Sequence, residues 1–163
     1  MVRLLLQLKA ELENVTDLQP ADPDNFDWFF KVKCNSCNEV HSKDVSMNRN
    51  EEVEVSGGKG STANFVWRCG FCKRESSAKF EAASFAQPYT AESNGQWAPL
   101  VTVDCRGLEF VKFDPRGAWT CKGVDSGIVF SDVSLDGEWV DYDVKKARPV
   151  GITEIESKWD RAP

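Results

Sequence analysis

Histidine is nearly absent from this chain: His41 is the single copy among 163 residues. A Ser-His-Asp or Cys-His hydrolase would need His41 as its base, and no nucleophile motif accompanies it. Long apolar runs are missing too, with nothing near the ~20 residues of a membrane-spanning helix. The opening Met1-Val2-Arg3-Leu4-Leu5-Leu6-Gln7 has three leucines before Gln7 breaks the run, too few for a signal-peptide core. Positive charge is in deficit: 20 Lys and Arg face 26 Asp and Glu, for a net charge of −6. Proteins that wrap nucleic acid show the opposite balance. No segment carries a sustained 3.6-residue apolar stripe, so no long amphipathic helix is expected. Together these gaps predict a soluble, cytoplasmic protein with no membrane partner and no nucleic acid partner.

What is present is enough for a core. Hydrophobic residues make up 41% and aromatics 11%. A chain of this length buries roughly 70% of its unfolded surface without needing covalent staples. One ordinary domain, or two small ones sharing a core, fits.

Six cysteines stand out: Cys34, Cys37, Cys69, Cys72, Cys105 and Cys121. Without a secretion signal, a disulfide framework is not expected. The first four form Cys34-Asn35-Ser36-Cys37 and Cys69-Gly70-Phe71-Cys72. Two C-x-x-C pairs are the usual supply for a four-thiolate zinc site, because one tight turn aims both sulfurs at one ion. Gly70 sits where a positive φ is one option, and Asn35 and Asn38 tolerate such geometry. The gap from Cys37 to Cys69 holds 31 residues, longer than in a simple ribbon. Doubling a loop costs only ~0.6 kcal/mol of closure entropy, so the gap points to a hairpin or small sheet inserted between the turns. The competing reading is redox: Cys69 and Cys72 have the outline of a dithiol pair, although Lys73 to Phe80 lacks the helical stripe such sites favour. Cys105 and Cys121 read as buried free thiols. His41, four residues after Cys37, is not needed by a tetrahedron that four cysteines complete.

Alternation supplies the fold class. Leu4, Leu6, Leu8, Ala10 and Leu12 alternate with mostly polar neighbours, a strong strand signal. Thr16 to Asn25, with two prolines and three aspartates, reads as a loop. Trp28, Phe30, Val32 and Cys34 mark a second strand, which delivers the first turn of cysteines. Val53 and Val55 mark a third, Phe65, Trp67 and Cys69 a fourth, and Ala78, Phe80 and Ala82 continue from it. Residues 84 to 99 read as loop. Leu100 to Cys105, Leu108 to Lys112, Trp119 to Cys121, Ile128 to Phe130 and Gly151 to Ile155 are further strands. A short helical turn is expected around Asp143 to Lys146. The class is mainly β, as a sandwich or barrel. Leu6-Gln-Leu8-Lys-Ala10-Glu echoes Val101-Thr-Val103-Asp-Cys105-Arg, and Trp28 and Trp119 each open a later strand. Two related β halves follow: residues 1–97 with the zinc site and residues 98–163 without metal.

Other motifs take plain readings. Gly57-Gly58-Lys59-Gly60-Ser61 is a hairpin turn, since Gly60 separates the lysine from the serine that a phosphate loop keeps adjacent. Asp132, Asp136, Glu138, Asp141 and Asp143 lack calcium-loop spacing and read as solvated charge on a loop, with Trp139 and Tyr142 as candidate partner anchors. Lys59, Arg68, Lys73, Arg74 and Lys79 make the second cysteine turn locally basic. Such charge offsets the −2 of a zinc–tetrathiolate cluster, and an RNA contact is the sharper alternative.

Assembled, these residues resemble the family of CXXC-motif-containing zinc-binding proteins. The likeness runs from Leu6-Gln-Leu-Lys-Ala10 through Lys33-Cys34-x-x-Cys37 and Cys69-x-x-Cys72-Lys-Arg-Glu75. It continues at Pro88-Tyr89, Cys105-Arg-Gly-Leu-Glu109, Phe130-Ser-Asp132, Trp139-x-Asp141-Tyr-Asp143 and Val150-Gly-Ile152. The resemblance implies Zn2+ held by Cys34, Cys37, Cys69 and Cys72 in a β-rich fold of two similar halves, with no enzymatic activity. The expected role is binding of a protein partner. A thiol-disulfide oxidoreductase and an RNA-binding zinc module are the rivals.

Overall fold

The computed structural model describes residues 2–55, 61–82 and 86–162. In chain order the strands are β1 (Val2–Glu13), β2 (Val15–Pro20), β3 (Trp28–Cys34), β4 (Val45–Met47), β5 (Val53–Glu54), β6 (Thr62–Ala63) and β7 (Phe65–Arg68). Then come β8 (Glu75–Phe80), β9 (Ala98–Arg106), β10 (Leu108–Asp114), β11 (Trp119–Gly123), β12 (Val129–Val133), β13 (Trp139–Asp143) and β14 (Arg148–Arg161). Helical structure among the described residues is confined to short 3-10 turns such as Pro23–Asn25 and Ala91–Ser93. The mainly β class read from alternation is therefore the observed one. In β1 the leucines at 4, 6, 8 and 12 and Ala10 all face the core, as period two requires.

A six-stranded sheet runs β13-β14-β1-β9-β8-β7. Its order is symmetrical about the antiparallel β1–β9 pair. Two three-stranded sheets, β10-β3-β4 and β12-β11-β2, repeat the relation. The strand after β1 pairs with β11, and the strand after β9 pairs with β3, so each half lends a strand to the other. The two similarly built halves are thus interlocked. The turns β1–β2 and β9–β10 pivot on left-handed residues, Asn14 at φ 58° and Gly107 at φ 81°. Counting back from these turns makes Leu8, not Leu6, the counterpart of Val101 in the repeat, although Leu6 is its partner across the β1–β9 ladder. The shift is two residues, so the alternation that suggested the echo is unchanged.

The core is aromatic. Trp28 and Trp119 are fully buried, 6.3 Å apart and edge-on, with Phe26 against both at 4.9 and 5.4 Å. Phe30, Phe110 and Trp159 continue the cluster. Tyr89 fastens the connection between the halves: its buried hydroxyl accepts the Ala10 N–H at 3.2 Å and faces the Ser93 and Gln96 carbonyls at 2.6 and 2.7 Å.

Several expectations fail locally. Val15–Pro20 is a strand rather than loop, because β11 pairs with it and Val15, Leu18 and Pro20 turn inward. Pro20 is tolerated because β2 is an edge strand. The acidic stretch is not loop throughout: 139–143 is β13, and Asp143 is fully buried. Asp143 to Lys146 is no helical turn, but the end of β13 and its tight connection to β14. The final strand is far longer than Gly151–Ile155, because β1 offers it a partner along most of its length. The glycine-rich turn at 57–60 lies outside the described residues, as do residues 84 and 85 of the expected loop.

Candidate metal centre

Two strand ends build the site. Strand β3 stops at Cys34, whose N–H donates to Glu39 O at 2.9 Å, while the Asn38 N–H returns to Cys34 O at 2.8 Å. Asn38 takes the left-handed conformation, φ 63°, as an asparagine can. The second turn, at the end of β7, repeats the pattern: Cys69 N–H to Arg74 O and Lys73 N–H to Cys69 O, each 3.0 Å. Here the left-handed residue is Lys73, φ 66°, and not Gly70. Lys73 is held there locally: its Nζ donates to Gly70 O at 2.8 Å, and Arg68 donates to the Lys73 carbonyl at 2.7 Å. Across the fold, the Asn35 N–H donates to Gly107 O at 3.0 Å, which braces the first turn against the β9–β10 corner.

These turns bring four sulfurs together. The Sγ atoms of Cys34, Cys37, Cys69 and Cys72 all lie within 4.8 Å of one another. Cys34 and Cys72 approach to 3.6 Å, and Cys37 and Cys69 to 3.7 Å. A tetrahedron with Zn–S bonds of about 2.3 Å has S–S edges of about 3.8 Å, so the donor set fits zinc in chemistry and in size. Cys34 and Cys69 are buried, and Cys37 and Cys72 half-buried. Burial opposes ionisation of Cys34, but the N–H groups of Cys37 and Ser36 and the neighbouring thiols bring it down to about 7. The Glu39 N–H favours the Cys37 thiolate, yet burial and three crowding thiols push this group up to about 12. The backbone of Cys72 leads in lowering Cys69, against its burial. A set whose thiolates cannot all ionise together is one that a divalent cation would complete.

The long gap between the pairs is filled as expected. β5 and β6 form a small hairpin, and β4 adds to β3. His41 stays outside the cluster, its ring 5.8 Å from Trp67 and edge-on to it. Cys105 and Cys121 lie apart on β9 and β11, buried. Burial, then nearby carboxylates, push each up to about 12. Phe71, between the two ligands of the second turn, is 74% exposed. The sequence reading missed Lys73 as the strained residue and the Gly107 carbonyl as a brace. The repeated x-x-Cys-Lys or x-x-Cys-Asn ending was the available signal.

An all-β fold of two interlocked halves, closed at one end by four cysteines on two tight turns, defines a zinc-binding protein. Comparison with known sequences and structures agrees. Residues 5–160 match the model of the family described as "CXXC motif containing zinc binding protein, eukaryotic", and the chain belongs to that family. The human "CXXC motif containing zinc binding protein" is 42% identical over 156 residues, covering 95% of this chain and 96% of that one. The Xenopus laevis protein of the same description is 40% identical over 99% of both. Among solved structures, "Crystal Structure of C1orf123" superposes with a TM-score of 0.90 at 37% identity, covering 98% of this chain and 99% of that one. A "Hypothetical protein from plasmodium falciparum" follows at a TM-score of 0.85, 25% identity, covering 98% of this chain and 100% of that one. Among the described residues, no helix is long and apolar enough to cross a membrane.

Proposed function

We propose that this zinc-binding protein is not an enzyme, and that it acts in the cytoplasm by presenting a metal-fixed surface to a protein partner. Zinc held by Cys34, Cys37, Cys69 and Cys72 would tie the ends of β3 and β7 together without turning over a substrate. The observation that carries this reading is Phe71. A large apolar side chain sits 74% exposed at the tip of the second turn, between two ligands. Exposed aromatics on a rigid support are common anchors of protein interfaces. Arg68, Lys73 and Arg74 lie on or next to the same turn, with Arg68 paired to Glu75, and this local excess of positive charge favours an acidic partner surface.

The four clustered thiols are committed as ligands, and Cys105 and Cys121 are buried with raised pKa values. Zinc–thiolate sites also suit a reducing compartment. Phe71→Ser separates the alternatives. The variant should keep its zinc and its melting temperature, while losing proteins that co-purify with the wild-type chain from native cells. Equal recovery with both chains would contradict the surface. Reduction of a model disulfide by the zinc-loaded protein would contradict the non-enzymatic role.

A further inference from the structure

The second half carries its own pair of tight turns, each ending on a left-handed residue as the cysteine turns do. At the end of β11, the Gly123 N–H donates to Ile128 O at 2.8 Å, and the Gly127 N–H returns to Gly123 O at 3.0 Å. Gly127, at φ 71°, takes the left-handed place of Asn38. The Val124 N–H donates to Asn14 O at 3.0 Å, as Asn35 does to Gly107 O. At the end of β13, Asp143 pairs with Arg148, and Ala147 at φ 52° takes the left-handed place of Lys73. Counting by these bonds, Cys34, Cys37, Cys69 and Cys72 correspond to Gly123, Ser126, Asp143 and Lys146.

That set cannot hold a cation as the cysteines can. Glycine brings no donor atom, Lys146 brings positive charge, and a single carboxylate remains. The carboxylate nevertheless reaches both turns. Asp143 is fully buried. Its Oδ1 accepts the N–H groups of Lys145 and Lys146, each at 3.0 Å. Its Oδ2 is sealed from solvent with no hydrogen-bond partner in place, and the Ser126 hydroxyl lies beside it across Gly123. The Ser126 Oγ already accepts the Ile128 N–H at 3.2 Å, which leaves its proton to turn toward Asp143. Gly123 makes this approach possible, since a Cβ there would strike Ser126 Oγ and sit 2.6 Å from Asp143 Oδ2. Arg148 adds a cation across the same junction, donating to Val124 O at 2.7 Å and lying 3.7 Å from Asp125.

We infer that Asp143 is the clasp of the second half: its buried carboxylate bridges the turns at 123–127 and 143–147, in the position that the four-thiolate cluster occupies in the first half. The sequence kept the turns and exchanged the ligand set for one acid, one hydroxyl, one glycine and peripheral cations. A buried acid in this position keeps its two N–H donors and its Ser126 neighbour only while both turns are closed.

Hydrogen exchange on the full zinc-loaded chain tests the assignment. Asp143→Ala should speed amide exchange in 123–128 and 144–148 by about tenfold or more, while 34–39, 69–74 and the zinc content stay as in wild type. Asp143→Asn, which keeps an acceptor but loses the charge, should fall between the two. It also decides the matter if the alanine variant does not fold. Unchanged exchange at 123–128 in the asparagine variant would overturn the clasp. The correspondence itself is tested by G123C/S126C/D143C/K146C in one chain, titrated with cobalt(II) and read by its thiolate absorption. A second tetrahedral cobalt per chain is expected. A folded quadruple variant that binds cobalt only at Cys34, Cys37, Cys69 and Cys72 would overturn it. If the quadruple variant does not fold, the exchange result for Asp143→Asn stands as the deciding measurement.

Discussion

The two ends of this molecule have the same backbone and different closures. At one end, four sulfurs converge to within 4.8 Å. At the other, a glycine, a serine, an aspartate and a lysine occupy the same places on turns with matching hydrogen bonds. The turn geometry therefore does not depend on the ligands. It goes with a residue at positive φ in all four turns, with a return bond to the last strand residue in three of them, and with a carbonyl lent by the opposite half at the turns that follow Cys34 and Gly123. The ligands decide how firmly each pair of turns is held, and by what.

The strongest way to break that comparison is to remove a ligand from one end only. Cys69→Ser should forfeit a large part of the ~10–16 kcal/mol that structural zinc contributes in small domains. Exchange should rise at 34–39 and 69–74, with 123–128 and 144–148 still protected. Uniform loss of protection would show that the two ends are one cooperative unit. Next in size is Gly107→Ala. Its φ of 81° and a Cβ 2.8 Å from Ser76 Oγ should cost about 1–3 kcal/mol, read by chemical denaturation. The zinc end should loosen first, because the Gly107 carbonyl braces it. Tyr89→Phe, which strips a buried hydroxyl from the link between the halves, should cost about 1–3 kcal/mol and lower both ends equally.

Acid should act on the second end through Asp143. The nearby Ser126 hydroxyl, then the N–H groups of Lys146 and Lys145 and the charge of Arg148, hold its carboxyl below the usual range against its burial. Its contribution is therefore complete above the unfolded pKa near 3.8 and is lost as pH falls through the lower folded value. The difference in stability between wild type and Asp143→Asn should shrink across that window. Among the groups around the carboxyl, Arg148, Lys145 and Lys146 favour the charged form, and Asp125 lies across from Arg148. The smallest effect is expected of Gly70→Ala. Gly70 is not at positive φ, and a Cβ there meets nothing within 4 Å. Stability in chemical denaturation should change by no more than ~0.5 kcal/mol, in contrast to Gly107.

Much of this was legible in the chain itself. Alternation gave β1 and β3, whose burial follows it residue by residue, while β7 is half-buried along its length and β9 is buried on both faces at its centre. The cysteine spacing gave the site, because two residues between sulfurs are a local constraint. Distance along the chain hid the rest. β2 and β13 read as loops, since their prolines and acids mask strands that exist only through pairing with β11 and β14. Asp143 read as solvated charge, because its burial is created by a turn twenty residues earlier in sequence. Its spacing from Ala147, matching Cys69 to Lys73, carries no signal until the turns are superposed.

The most direct test is native mass spectrometry of the full chain, paired with melting before and after chelation. The account requires one zinc per chain, and a lower melting temperature once it is removed, with the lost protection confined to the two cysteine turns. A chain that carries no zinc, or one that melts identically with and without it, would contradict a metal holding β3 and β7 together.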